Sequence, residues 1–214
     1  MYGYFIEHKI IPSVQCGFRK KFGTSVALAS VTDDIIRACD KKMASILILL
    51  DFSKAFDRIN HNLLVSKLKY YGFDIESCKI IKSYLYNRYQ TISYNDMHSD
   101  RASILSGVPQ GSVLGPLLFL IYTSDILKSL KCCNVQAFAD DTQIYCDDIK
   151  EAERNINYDL QIISNLSEKH NLKLNSTKSC MMIFGNQGKI NAIKNDNNLY
   201  INNTRLDIVE CTKM

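Results

Sequence analysis

An unbroken apolar run, Ile46-Leu47-Ile48-Leu49-Leu50, gives way at once to a carboxylate, Asp51. A run of strand length, rich in branched side chains, suits a strand covered on both faces. A charge placed directly after it has to be solvated, paired or metal-bound, because an isolated buried charge is costly. The arrangement recurs later in the chain. Val135-Gln136-Ala137-Phe138 leads into Asp140-Asp141, and Thr142-Gln143-Ile144-Tyr145 leads away, the pattern of a hairpin with acidic residues at its turn. Adjacent carboxylates repel unless a cation lies beside them, so the pair invites a divalent metal. Magnesium prefers hard oxygen ligands and commonly takes one or two carboxylates plus substrate phosphates, which Asp51 and Asp140 would offer from neighbouring strands. Two such ions about 3.5 to 4 Å apart clamp the attacking and leaving oxygens of an in-line phosphoryl transfer.

Between the two acidic sites lies Gly107-Val108-Pro109-Gln110-Gly111-Ser112-Val113-Leu114-Gly115-Pro116, a loop too stiff and too rich in glycine to be filler. Gln110 supplies an amide with both donor and acceptor character. The following Leu117-Leu118-Phe119-Leu120-Ile121-Tyr122 is apolar nearly all round and predicts a helix buried beneath the sheet. Taken singly these signals are bland. Asp-Asp in a turn is ordinary turn chemistry, an Asp at a strand end is usually a cap, and Phe52 and Phe56 read alone are core residues. The combination, in this order, points to an enzyme that handles nucleotides with paired metal ions.

In that order the chain resembles the reverse transcriptases of non-LTR, LINE-like retrotransposons, especially the jockey-like branch. The resemblance is carried by Gln15-Cys16-Gly17-Phe18-Arg19, the Asp51 block, Ser83-Tyr84-Leu85-Tyr86-Asn87-Arg88-Tyr89-Gln90, residues 107–119, Phe138-Ala139-Asp140-Asp141 and Leu172-Lys173-Leu174-Asn175-Ser176-Thr177-Lys178. It implies an RNA-directed DNA polymerase acting with two magnesium ions, for which manganese substitutes, on an RNA template, a DNA primer and deoxynucleoside triphosphates. Asp51 and Asp140 match the two metal-binding aspartates of the polymerase palm, and Asp141 matches the second aspartate of the hairpin pair, near the primer end. Phe56 matches an aromatic gate that disfavours a 2′-hydroxyl. Phe52, Ser53, Lys54 and Ala55 match a turn that presents backbone N–H groups to the triphosphate. Gln110 and Gly111 match a contact to the template or the nascent base pair. Lys178 matches a lysine near the leaving pyrophosphate, where an ammonium acts as a general acid. Arg19-Lys20-Lys21 matches a segment near the template.

The resemblance also sets the expected architecture: α+β, a right-hand palm of split β-α-β form with an antiparallel sheet backed by helices, and partial fingers. Residues 1–185 would hold partial fingers and palm, and residues 186–214 the truncated start of the region joining palm to thumb. The family begins before residue 1 and continues past residue 214, so the grips on primer and triphosphate would lie outside the chain. Two functions follow: a polymerase domain active in a longer context, or a catalytically silent remnant that at most binds nucleic acid or a partner. A metal-dependent hydrolase built on Asp51 and Asp140 would leave Phe56 and Gln110 without a role.

Local signals fill in this frame. Thr24 caps an expected helix over 25–40 with Leu28, Val31, Ile35 and Ala38 on one face. Further helices are expected over 61–71, ending at Gly72, over 75–86 with Asp74 as cap, and over 151–170 with Ile156, Leu160, Ile163 and Leu166 facing the sheet. Residues 90–94 and 103–105 would pair as a hairpin about Asn95-Asp96. Asn195, Asn197, Asn198, Asn202 and Asn203 mark exposed turns between weak strands. A net charge of +4 leans only mildly toward anions. Eight cysteines without Cys-x-x-Cys spacing, no leader pattern and no membrane-length apolar run point to an intracellular, reducing setting, cytoplasm or nucleus, with no membrane partner. Oligomeric state leaves no mark in the sequence.

Overall fold

The computed structural model describes residues 1–147 and 149–210. Along the chain, α1 (Tyr2–Glu7) and α2 (Thr24–Asp40) precede β1 (Ser45–Leu50) and a 3-10 turn (Ala55–Arg58). Then come α3 (His61–Tyr70), α4 (Ile75–Leu85), the short strands β2 (Arg88–Gln90), β3 (Ser93–Tyr94), β4 (Met97–His98) and β5 (Ala102–Ile104), and α5 (Gly115–Lys128). The hairpin β6 (Asn134–Phe138) and β7 (Asp141–Cys146) leads through α6 (Ile149–Lys169) to β8 (Cys180–Phe184). The described chain closes with α7 (Gln187–Asn195), β9 (Tyr200–Ile201), β10 (Thr204–Arg205) and β11 (Asp207–Ile208).

The main sheet has the order β11-β8-β1-β7-β6. Strand β1 lies antiparallel to both β7 and β8, and β6 is antiparallel to β7. Thus β1 and β6 run the same way with β7 inserted between them, which is the split β-α-β arrangement that the sequence predicts. Both faces of β1 are covered. Ile46, Ile48 and Leu50 join Leu118, Phe119 and Ile121 of α5 and Ile156, Leu160 and Ile163 of α6 in the principal core. On the other face Leu47 and Tyr145 pack with Val31 and Ile35 of α2. A strand buried on both faces has no position for a polar side chain, hence the unbroken apolar run. The Tyr145 hydroxyl donates to Asp34 Oδ2 at 2.5 Å and ties α2 down.

The helices fall where their periodicity places them, with instructive differences. Gly23 precedes α2, Thr24 is its first residue, and no side chain caps it. Ala27, Val31, Ile35 and Ala38 form the buried stripe, while Leu28 is exposed. The stripe is narrow because only one face of the sheet lies beneath it, and Leu28, one residue off that stripe, turns toward the open cleft described below. Asp74 caps α4, accepting from the Ser77 N–H at 2.7 Å. The Asn95-Asp96 turn pairs Tyr94 with Met97 and Ser93 with His98, and farther out Arg88, Tyr89 and Gln90, rather than residues 90–94, lie opposite Ile104, Ser103 and Ala102, in a register shifted by one residue from that of the turn.

Beyond Gly185 the asparagines do more than mark turns. Asn186 caps α7 by accepting from the Lys189 N–H, and Asn197 is buried, accepting from Leu199 N–H and donating to the Leu206 carbonyl. Asn202-Asn203 makes the expected turn between β9 and β10. β11 pairs with β8, so this segment joins the main sheet. Cys16, Cys39, Cys78, Cys132, Cys133, Cys146 and Cys180 are free thiols, and Cys211 lies outside the described residues. No helix among the described residues is long and apolar enough to cross a membrane.

Candidate active site

The register of the central strands builds the site. Leu50 of β1 pairs with Thr142 of β7, so the next residue along β1, Asp51, lies beside the first residue of β7, Asp141. Asp140 occupies the β6–β7 turn directly after Ala139, whose φ is +59°. Asp51 is braced on both sides of its own peptide. Its N–H donates to Ser179 Oγ at 3.1 Å, and its carbonyl accepts from the Asn175 N–H at 2.9 Å. Ser179 Oγ donates in turn to the Asn175 carbonyl at 2.8 Å. Asn175 and Ser179 were invisible as braces in the sequence, since Asn175 acts through its backbone and the Ser179 hydroxyl bonds only to backbone groups. The alternation of Leu172 and Leu174 before that polar turn is the only trace they leave.

Two of the carboxylates share an open cleft of about 510 Å³ with Lys178, between the sheet end and the first turn of α2, where Thr24, Ser25 and Leu28 form its far wall. Asp140 instead borders a space of only about 10 Å³ between the turn and Phe119 of α5. The structure therefore gathers Asp51, Asp141 and Lys178 in one cleft and sets Asp140 at its edge, on the turn.

The other predicted residues interlock behind this cleft. Phe52 bridges to Leu174, and the Ser53 N–H donates to the Lys173 carbonyl at 2.8 Å, which leaves any anion-binding part to Lys54 and Ala55 rather than Ser53. Phe56 stacks on Phe119 with centroids 4.3 Å apart and meets Phe18 edge-on at 6.1 Å. The loop 106–110 docks on the 3-10 turn: Gly107 N–H donates to the Ile59 carbonyl, Val108 N–H to the Phe56 carbonyl, and Gln110 Nε2 to Asp57 Oδ1 at 3.1 Å. Gly107 has φ +86°, and a Cβ there would stand 2.7 Å from Asp57 Cα, so only glycine allows this contact. Gly111 is exposed nearby. Arg19 turns inward, its guanidinium donating to the carbonyls of Pro12, Ser13 and Gln15, while Lys20 and Lys21 stay exposed.

The electrostatics of the acidic residues are those of an uncompensated cluster. Burial, then the charges of Asp140 and Asp51, push the Asp141 carboxyl above its ordinary range. Burial pushes Asp140 up as well, and Asp51 adds to it. None of the ion pairs among the described residues involves these three aspartates. Such a donor set fits a hard divalent cation. Among the described residues no three or more His, Cys, Asp and Glu side chains close into a metal-holding group.

Comparison with known proteins agrees with the geometry. The family model described as reverse transcriptase (RNA-dependent DNA polymerase) matches residues 4–204. A probable RNA-directed DNA polymerase from transposon BS of Drosophila melanogaster is 33% identical over 192 residues, covering 81% of this chain and 20% of that protein. The RNA-directed DNA polymerase from mobile element jockey of the same organism is 31% identical over 188 residues, covering 84% of this chain and 20% of its own length. The chain thus spans about a fifth of the length of these relatives. Among solved structures, telomerase from Candida albicans with a fragment of telomeric RNA aligns at a TM-score of 0.63 and 13% identity, over 87% of this chain and 35% of that one. Apo telomerase from Candida tropicalis, truncated from its C-terminal domain, gives 0.61 and 13% over 86% and 40%. At that identity the likeness speaks for the fold, a polymerase palm.

Because the folded chain holds protons on Asp140 and Asp141 more tightly than the unfolded chain does, these groups favour folding below the ordinary carboxylate value of about 4 and withdraw that support as pH rises through their raised values. Asp141→Asn is therefore expected to raise the thermal midpoint in metal-free buffer at pH 7 and to leave it nearly unchanged near pH 3.5, read by circular dichroism. A lower midpoint at pH 7 would contradict this electrostatic picture.

Proposed function

The chain belongs to the reverse transcriptase family, and from that premise we propose that it carries the palm of an RNA-directed DNA polymerase that extends a DNA primer on an RNA template with deoxynucleotides. The observation that carries this reading is the convergence of Asp51, Asp141 and Lys178 on one open cleft, with Asp140 on the adjoining turn. Asp51 and Asp140 would hold two divalent ions, magnesium with manganese as substitute, and Asp141 would shape the primer side. When bound, such ions supply Lewis-acid stabilisation of the attacking and leaving oxygens.

The protein's own groups do the positioning, which dominates phosphoryl transfer. Phe56, held between Phe119 and Phe18, would stand as a fixed wall against the 2′ position of the incoming sugar. Gln110, tied to Asp57, would carry the template-side loop in register with the Asp51 block, with Gly111 beside it. Lys54 and Ala55, three and four residues past Asp51, would offer backbone N–H groups to the triphosphate, and Lys178 would give a proton to the leaving pyrophosphate from the cleft wall. We place this activity inside the cell, in keeping with free thiols at the seven described cysteines.

Primer extension on an RNA template with magnesium and deoxynucleotides tests the reading. Asp51→Asn and Asp140→Asn are each expected to lower the rate on the order of 100-fold or more, since the lost Lewis-acid stabilisation amounts to several kcal/mol. Extension unaffected by either change would sink the metal-ligand assignment. Phe56→Val should raise ribonucleotide incorporation relative to deoxynucleotide by roughly 10- to 100-fold, the discrimination that a packed apolar wall supplies. An unchanged sugar preference in a folded Phe56→Val protein counts against the gate.

A further inference from the structure

Residues 14–17 lie along the free edge of β6. Cys16 N–H donates to the Ala137 carbonyl at 2.7 Å and Ala137 N–H to the Val14 carbonyl at 2.9 Å, a parallel bridge centred on Gln15 and Ala137. From this edge the Gln15 side chain, 1% exposed, reaches over the β6–β7 turn. Its Oε1 accepts from the Ala139 N–H at 2.9 Å and from the Gly17 N–H at 2.7 Å, and its Nε2 donates to the Ala139 carbonyl at 3.0 Å. One side-chain amide thus satisfies both backbone groups of Ala139. That residue stands immediately before Asp140 in the left-handed region, a conformation that a residue with a Cβ keeps only when its surroundings hold it there.

Neighbouring residues are shaped to the same contact. A Cβ on residue 17 would stand 2.2 Å from Ala139 N, so glycine is required for the approach. The Arg19 guanidinium gathers the carbonyls of Pro12, Ser13 and Gln15 and stiffens the loop from which Gln15 projects. Phe18 sets its ring edge-on to Phe56, so this one segment touches both the acidic turn and the aromatic wall.

We propose that Gln15 is a positioning residue for Asp140: by clamping both backbone groups of Ala139 it holds the turn in the conformation that sets where the Asp140 carboxylate stands. The inference rests on the reading of Asp140 as a metal ligand. Gln15 touches neither metal nor substrate and acts through the peptide before the ligand, as an outer hydrogen-bond partner orients the ligands of a metal site.

Mn2+ serves as the probe, with the free ion counted by electron paramagnetic resonance during titration of the wild-type chain, Asp140→Asn, Gln15→Leu and Gln15→Met. Far-UV circular dichroism and thermal unfolding run in parallel. The wild type is expected to bind Mn2+, Asp140→Asn to lose that binding, and the two Gln15 variants to keep a cooperative melt while binding about 10- to 100-fold more weakly. A purely structural Gln15 would lower the melt and leave the affinity of the remaining folded protein unchanged. Folded Gln15 variants that match the wild-type affinity overturn the role given to Gln15 and leave the proposed function standing. A wild-type chain that binds no Mn2+ overturns both. Should neither Gln15 variant fold, amide exchange in the wild type decides: the clamp requires a protected Ala139 N–H, and exchange at the rate of an open amide refutes it.

Discussion

A buried strand that ends in a carboxylate organises this molecule. β1 is covered on one face by α5 and α6 and on the other by α2, so its side chains must be apolar until the sheet runs out. At that point Asp51 emerges, and the pairing of Leu50 with Thr142 sets Asp141 beside it. A one-residue slip would turn every side chain of β1 to the wrong face and move the carboxylates apart at once. Core and site are therefore specified by the same register. The helices bury the strand, and the strand delivers the acid.

The gathered charge works against the fold that delivers it. Burial and mutual repulsion raise Asp140 and Asp141, and the nearby cation, Lys178, stands on the wall of the cleft without an ion pair to them. The surrounding structure compensates with backbone contacts: Ser179 and Asn175 on Asp51, and Gln15 on Ala139. Each of these neutral side or main chains fixes a peptide next to a functional residue rather than neutralising a charge. A site prepared in this way keeps its negative potential for a cation while its geometry is held from behind.

Much of this was legible in the sequence, for physical reasons. Two-sided burial leaves an unbroken apolar run, which is why β1 and the acid after it could be read directly. Two-fold alternation and a turn marked β6 and β7, and the four- and three-residue spacing of Ile156, Leu160 and Ile163 marked α6. What stayed hidden depends on partners distant along the chain. Leu28 belongs to an apolar periodicity yet faces the cleft, because what lies under α2 is decided by another element. Asn186 reads as a loop residue until α7 is seen to start from it. Lys67 reads as a surface charge, yet it is buried, with its Nζ donating to the Tyr122 carbonyl and to Asp125 at 2.6 Å and so joining α3 to α5. Gln15 stands in a block that the resemblance picks out, yet its task is hidden there, since besides the Gly17 N–H its partners are the backbone groups of a residue more than a hundred positions away.

The central claim is that residues from two separated stretches of chain build one divalent-cation site at the end of the sheet. Ferrous ion bound in place of the native cation, with ascorbate and peroxide, generates hydroxyl radicals that cut the backbone close to the metal. Mass spectrometry of the fragments should then show cuts clustered at residue 51 and at residues 139–141, both suppressed together by excess magnesium. Cuts confined to one of the two stretches, or scattered elsewhere and indifferent to magnesium, would contradict the account.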